Sequence, residues 1–337
     1  MKAAILVGPH HLTVQSAAEP RVDADEIVVR VGLAGLCGTD VSIFTGGRPV
    51  AYPRVMGHEF LGRVETVAPG VTRVRTGDRV VIEPNYSCGV CPLCREGNRN
   101  LCAQRTAVGI DVDGGFAELV RVPARCAWPV PAGVSDDDAL LTEPLAVVVR
   151  AVERGAPRAG QTAAVVGAGT LGLLALQTLR ARGVRVLVVG RSARRLPLAR
   201  ELGADAVHAL ADGPPESAAR TFSGREGVDL VVETAGTPEA VDQALVLVRP
   251  GGRVVLTGLP HAPTAVSFFS VVRREITITG SMIYQDEFPK ALALVERGAV
   301  RGGRLITHRF PLDRIHEAFV AHRDAAAIKV AVVPDRG

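Results

Sequence analysis

Lysine is nearly absent from this 337-residue sequence: Lys2, Lys290 and Lys329 are the only three, so almost all the positive charge is arginine. We read that bias as genomic base composition, which carries no mechanism. Aromatic residues are also scarce, at 4% with a single tryptophan, which leaves little for stacking a row of bases or for lining a pocket around a bulky aromatic ligand. No long run of one charge sign occurs. With 39 basic and 35 acidic residues the formal net charge is +4, a near balance that does not call for a nucleic-acid partner. Uninterrupted apolar runs of bilayer length are missing too. The nearest is the uncharged window Gln161–Leu179, and its three glycines divide it into a strand and a helix. The apolar stretch Met1–Val7, closed by Gly8-Pro9, is too short for a secretory signal peptide, so a cytoplasmic protein with no membrane partner is expected.

What is present suits a soluble globular protein: 47% hydrophobic and 22% charged residues, in a chain long enough for two domains with separate cores. Within Leu36–Glu59 lie Cys37-Gly38-Thr39-Asp40 and Gly57-His58-Glu59, which put a thiol, an imidazole and a carboxylate in one segment. Thiolate and imidazole are preferred zinc ligands, and a catalytic zinc takes three protein groups and keeps one position open. Neighbouring residues of a regular strand point to opposite faces, which argues against His58 and Glu59 sharing a metal. Glu143, in Thr142-Glu143-Pro144-Leu145, is therefore the candidate third ligand.

A second metal signal follows. Cys88, Cys91, Cys94 and Cys102 have the spacing C-x2-C-x2-C-x7-C, and four thiolates so close can enclose a tetrahedral zinc. Disulfides are disfavoured in a reducing cytoplasm, and a redox pair would need only two of the four. A closed four-thiolate shell has no open position, so this zinc is expected to hold the lobe 86–103 in shape and to take no part in chemistry. Cys126 is left over as a packed thiol. The lobe and a pI near 8.9 also raise the alternative of a zinc-ribbon nucleic-acid binder. Against it, Arg95 and Arg99 are the only basic residues inside the lobe, Glu96 sits beside them, and no aromatic row accompanies them.

The texture changes near residue 151. Before it, short apolar runs alternate with turn residues, as in a small β-barrel. After it come alternating strand and helix patterns that predict a doubly wound parallel sheet. Strand Ala163–Val166, then Gly167-Ala168-Gly169-Thr170-Leu171-Gly172, then an apolar helix form G-x-G-x-x-G in its proper setting. The first glycine makes the turn, the second admits a pyrophosphate, and the third lets helix and strand pack closely, with helix-start amides facing the phosphates. About twenty residues on, an acidic residue ordinarily holds the ribose hydroxyls of NAD. Here that place is Gly190, followed by Arg191-Ser192-Ala193-Arg194-Arg195, so the charge that repels a 2′-phosphate is replaced by forked phosphate donors and NADP is expected over NAD. The tail beyond Phe288 supplies strand-like pieces that the opening β unit lacks and is assigned back to it.

Taken together, Gly57-His58-Glu59-x-x-Gly62-x-Val64, Cys37-Gly38-Thr39-Asp40, the four-cysteine lobe, Gly77-Asp78-Arg79-Val80, the glycine turn and Gly251-Gly252-Arg253-Val254 resemble the zinc-dependent medium-chain dehydrogenases. The likeness runs over nearly the whole chain. Cys37 followed by glycine and Glu143 before Pro-Leu are most similar to the branch of sorbitol, other polyol and threonine dehydrogenases. The resemblance implies a GroES-like β-barrel catalytic domain (1–150 and 288–337) and a Rossmann coenzyme domain (151–287). It implies a catalytic zinc on Cys37, His58 and either Glu59 or Glu143, and Thr39 as the hydroxyl that bonds the substrate oxygen and passes its proton on. It also implies an NAD(P)-linked oxidation of a secondary alcohol on a small polar molecule, and a homodimer or homotetramer, for which the β-rich stretch Ile276–Ile283 offers an edge. Many relatives carry a histidine where Ser42 stands, as the outer end of the proton relay. That substitution is similar to aminocyclitol dehydrogenases of antibiotic pathways and leaves release to water or the cofactor ribose.

Overall fold

The structure is a computed structural model and describes residues 1–191, 193–259 and 263–334. It divides into two compact units, one of Met1–Glu143 with the segment from Arg301 onward, the other Pro144–Val300.

The first unit is built on the strand Glu26–Leu36, at 11 residues the longest in the chain. Ile27, Val28, Val29, Val31, Leu33, Ala34 and Leu36 along it are all buried. A near-continuous apolar run of this kind suits a strand covered on both faces. It pairs antiparallel with Glu59–Val67, Leu119–Pro123 and Lys329–Val333. These belong to a seven-stranded sheet, and a three-stranded sheet of His11–Ser16, Lys2–Gly8 and Arg54–Val55 accompanies it. Phe60, Phe116, Ile27, Ile82, Leu36 and Val330 fill one core between them. Two registers matter for function: Gly35 lies opposite Glu59, and Val330 opposite Leu36. They bring three segments remote in sequence to the point where the chain leaves the long strand and enters the short helix Gly38–Phe44. The C-terminal strands Ile306–Pro311 and Lys329–Val333 do complete this unit's sheet.

The second unit holds six parallel strands in the spatial order Ala206–Ala209, Arg185–Gly190, Thr162–Val166, Val228–Glu233, Val248–Leu256, Thr277–Gly280. Counted along this unit the order is 3-2-1-4-5-6, the doubly wound arrangement that binds ligands where the order reverses, outside the carboxyl ends of strands 1 and 4. At the opposite end of those strands Asp229 accepts hydrogen bonds from the N–H of Thr162 (2.8 Å), the Thr162 hydroxyl (2.9 Å) and Nε of Arg249 (2.9 Å). Burial pushes its carboxyl up, and these donors more than reverse the effect, so it stands below the ordinary value.

The unit boundaries differ from those expected at 150 and 288. The helix Thr142–Gly155, which patterning did not reveal, runs through the first of them. At the second, helix Phe288–Glu296 belongs with the second unit: Phe288 is fully buried against Tyr284, and Lys290 is paired with Glu153 at 2.9 Å. The window Gln161–Leu179 is strand Thr162–Val166 followed by helix Thr170–Arg180. Among the described residues no helix is long and apolar enough to cross a membrane.

Candidate active site

Cys37 follows the long strand and caps the helix Gly38–Phe44. Its N–H donates to Oδ2 of Asp40 at 2.9 Å, so the carboxylate of Asp40 fixes the thiol's backbone while being fully buried itself. The other oxygen of Asp40 lies 3.3 Å from Nδ1 of His58, which leaves Nε2 of the imidazole as the donor for a metal. Burial works against a charge on His58, but Asp40 and Cys37 outweigh it and raise its pKa well above the usual histidine value.

The ligand atoms of Cys37, His58 and Glu59 all lie within 4.8 Å of one another. The strand-alternation argument against Glu59 is thereby corrected. His58 precedes the strand Glu59–Val67, and Gly57 before it has φ +94°, so the chain turns there and neighbours need not face apart. Glu143 is buried in the first turn of helix Thr142–Gly155 and is not part of that three-residue cluster. A thiolate, an imidazole and a carboxylate converging in a buried place fit a zinc ion.

Lys329 is the residue that sequence reasoning passed over. Its Nζ donates to Oε2 of Glu59 at 2.6 Å and to the carbonyl of Leu36 at 3.3 Å, with side-chain exposures of 3% for the lysine and 2% for the glutamate. Burial opposes its charge, and the carboxylate of Glu59, the thiol of Cys37 and Glu143 outweigh that and raise its pKa. Room for the pair depends on Gly35, since a Cβ there would stand 2.5 Å from Oε2 of Glu59. The one available signal was the rarity of lysine in an arginine-rich chain. Asp40 was visible inside the Cys37–Asp40 motif, but nothing local revealed what it holds.

The four-cysteine lobe hangs from the strand pair Asn85–Tyr86 and Thr106–Ala107. Sulfur–sulfur distances are 3.6 Å for Cys88–Cys102, 3.8 Å for Cys91–Cys102 and 4.0 Å for Cys88–Cys94. A tetrahedron of roughly 2.3 Å zinc–sulfur bonds has edges of about 3.8 Å, so this spacing fits zinc and is far too long for disulfides. The N–H groups of Val90 and Cys91 pull Cys88 down to about 6, which favours the thiolate that a metal needs. Cys126 is buried in the barrel core, where burial pushes it up to about 12.

In the second unit Gly167 sits at φ +107°, and a Cβ on Gly172 would lie 1.8 Å from the carbonyl oxygen of Gly167, so helix and turn touch. Among the described residues other than its chain neighbours, only Nη1 of Arg195 comes within 4 Å of a Cβ built on Gly169, at 3.9 Å, so the backbone at the helix start is open to close approach. Thr170 and Leu171 open that helix. Gly190 ends its strand, Arg191 is exposed, and Ser192 lies outside the described residues.

A barrel with a Cys-His-Glu cluster, its histidine and glutamate buried and its cysteine half-buried, and a doubly wound sheet with a glycine turn define a metal-assisted, dinucleotide-linked oxidoreductase. The family models for the alcohol dehydrogenase GroES-like domain and the zinc-binding dehydrogenase match residues 23–132 and 170–297. L-threonine 3-dehydrogenase of Bacillus velezensis is 34% identical over 96% of this chain and 95% of its own. Two solved structures each cover 99% of both chains: a zinc-binding dehydrogenase of Sinorhizobium meliloti 1021 bound to NADP (TM-score 0.94, 34% identity) and an alcohol dehydrogenase of Escherichia coli CFT073 with NADH (0.93, 33%). The chain belongs to the zinc-dependent medium-chain dehydrogenase family, in its sorbitol and threonine dehydrogenase branch.

Replacing Lys329 by Met removes the ammonium and strands a buried carboxylate, so urea denaturation should show a loss of about 3–5 kcal/mol. Adding Glu59→Gln should restore much of it. A single variant within about 0.5 kcal/mol of the native protein would show that the pair is not a structural necessity.

Proposed function

We propose that the protein oxidises a secondary alcohol on a small polar molecule, a polyol, sugar, cyclitol or amino alcohol, to the ketone, and runs the reverse reaction. The observation that carries this reading is the convergence of Cys37, His58 and Glu59 beside a helix whose first turn offers Thr39. In this reading a catalytic zinc is held by Cys37 and His58 with Glu59 or Glu143, and a structural zinc by Cys88, Cys91, Cys94 and Cys102. When bound, zinc supplies Lewis acidity to the alcohol oxygen and the dinucleotide accepts the hydride. The Thr39 hydroxyl bonds the alcohol oxygen and passes the proton on, giving up its own hydrogen as it receives the alcohol's. Ser42 lies one helical turn further on the same face, and because its hydroxyl does not ionise near neutrality it can only relay the proton to water or the cofactor ribose. The threonine dehydrogenase relative supports the substrate class, since threonine bears a secondary alcohol beside an amino group.

The test is a panel of sorbitol, inositol, an aminocyclitol, threonine and 2,3-butanediol against benzyl and cinnamyl alcohol, followed by the absorbance of reduced nicotinamide. One of the small polar alcohols should win, and a preference for the aromatic ones would refute the reading. His58→Ala should lower kcat by about a thousandfold or more with the fold intact. Cys94→Ser should instead lower the melting temperature by roughly 10 °C, because its metal binding is coupled to folding. Elemental analysis should find two zinc ions per chain in the native protein, one for each cluster.

For the cofactor we propose NADP over NAD, on the strength of Gly190, Arg191, Ser192 and Arg195. Relatives bind either dinucleotide, so these residues decide. The native protein should favour NADP by about tenfold or more in kcat/KM, and Arg191→Ala should cut the ratio by about tenfold, as loss of one charge-assisted bond would. Equal or better use of NAD by the native protein would sink the claim.

We further propose a homodimer or homotetramer formed through the second unit. The strand Thr277–Gly280 is the sheet's edge, and in the preceding helix Phe268, Phe269 and Val272 are 71%, 74% and 76% exposed. Light scattering at micromolar concentration should give at least twice the chain mass; a monomer would end the idea.

A further inference from the structure

One buried carboxylate in the second unit has no part in the chemistry above. Glu233 is the last residue of strand Val228–Glu233, at the point where the strand order reverses, and it is wholly buried. Its Oε1 accepts the N–H of Ala235 at 2.6 Å and of Gly236 at 2.8 Å. The N–H of Gly258, in the loop that follows the next strand, also faces the carboxylate, and the carbonyl of Glu233 accepts from Thr257 and Gly258 at 2.9 and 3.2 Å. Burial pushes its carboxyl up, and the surrounding N–H groups offset only part of that.

The two loops it ties are packed tightly. A Cβ on Gly258 would lie 2.2 Å from the nitrogen of Gly236. On the other side, the hydroxyl of Thr234 donates to the carbonyl of Val166 at 2.9 Å, and a Cβ on Gly167 would stand 2.7 Å from that hydroxyl. Glu233 thus sits between the first glycine of the phosphate turn and the loop 257–259. Three strand ends lie in a row here. With the adenosine ribose at Gly190 and the pyrophosphate at Gly167–Gly172, the remaining half of a dinucleotide must extend over the ends of strands Val228–Glu233 and Val248–Leu256.

We propose that Glu233 is a positioning residue for the nicotinamide half of the dinucleotide: it touches no ligand and sets the spacing of the two loops on which that half rests. The inference rests on the reading that the glycine turn holds the pyrophosphate. An apolar replacement leaves the buried N–H groups of Ala235 and Gly236 without their acceptor, and an amide, which keeps one acceptor oxygen, turns an NH2 donor toward the N–H of Gly258, so in either case the loops move apart.

The same strand supplies an internal reference. Asp229, at its amino end, is a mostly buried carboxylate with three hydrogen-bond donors and is remote from the crevice side of the sheet. The experiment titrates the zinc-loaded native protein, Glu233→Gln, Glu233→Asp and Asp229→Asn with NADPH, NADH and ADP, using nicotinamide fluorescence and calorimetry, and records each melting temperature. Glu233→Gln should weaken the tighter reduced dinucleotide by about tenfold or more and ADP by less than about threefold, and Glu233→Asp should fall between it and the native protein. Asp229→Asn should lower the melting temperature and leave both affinities unchanged. Native affinity in folded Glu233→Gln, parallel weakening of ADP, or the same loss in Asp229→Asn would overturn the proposal. If Glu233→Gln does not fold, Glu233→Asp is read by the same criteria. A native protein that binds neither NADPH nor NADH would remove the dinucleotide reading itself, and the proposal with it.

Discussion

A carboxylate and an ammonium lie 2.6 Å apart in the first unit with almost no water on either. Taking either ion out of water alone costs several kcal/mol, so Glu59 and Lys329 can exist there only as a pair. That requirement reaches far along the chain. Lys329 must arrive on a strand whose register sets Val330 opposite Leu36, Glu59 must start a strand opposite Gly35, and position 35 must have no side chain. Meeting those conditions also places Cys37 and His58 beside one another. The same logic holds for Asp40, whose two oxygens face the N–H of Cys37 and the ring of His58.

The second unit solves a different problem with similar means. Its parallel strands are apolar and uniform, so order must be imposed at their ends. Asp229 binds Thr162 and Arg249 at the amino end, and the carboxylate of Glu233 accepts from the turn amides of Ala235 and Gly236 at the carboxyl end. Between them the strand Val228–Glu233 needs no polar side chain. The carboxyl end is where amides are left without strand partners, so a buried acceptor there shapes the loops around a binding crevice.

The readable part of the sequence was its local part. The cluster of four cysteines within Cys88–Cys102 was legible by spacing alone, because the lobe closes within a few turns of chain. The G-x-G-x-x-G turn is equally local: its contacts run from Gly167 to Gly172 and to the adjoining strand end. Arg191 and Arg195 could be placed by counting along one strand and one turn. The periodic patterns also separated a β unit from an alternating unit. They missed the edge strand Ala206–Ala209 and the helix Glu216–Ser223, which are short and largely half-buried, so their patterns stay faint.

By itself, then, the sequence determined the two-unit architecture, the four-cysteine cluster and the glycine turn, since each is written in residues that touch their near neighbours. Only the tertiary structure decided that Glu59 joins Cys37 and His58, that Lys329 is paired with it, that Asp40 faces both Cys37 and His58, and that helix Phe288–Glu296 belongs to the second unit. Those outcomes depend on strand register and on the cost of burying charge. Such energies act between segments 270 to 293 residues apart, where no local spacing can carry them.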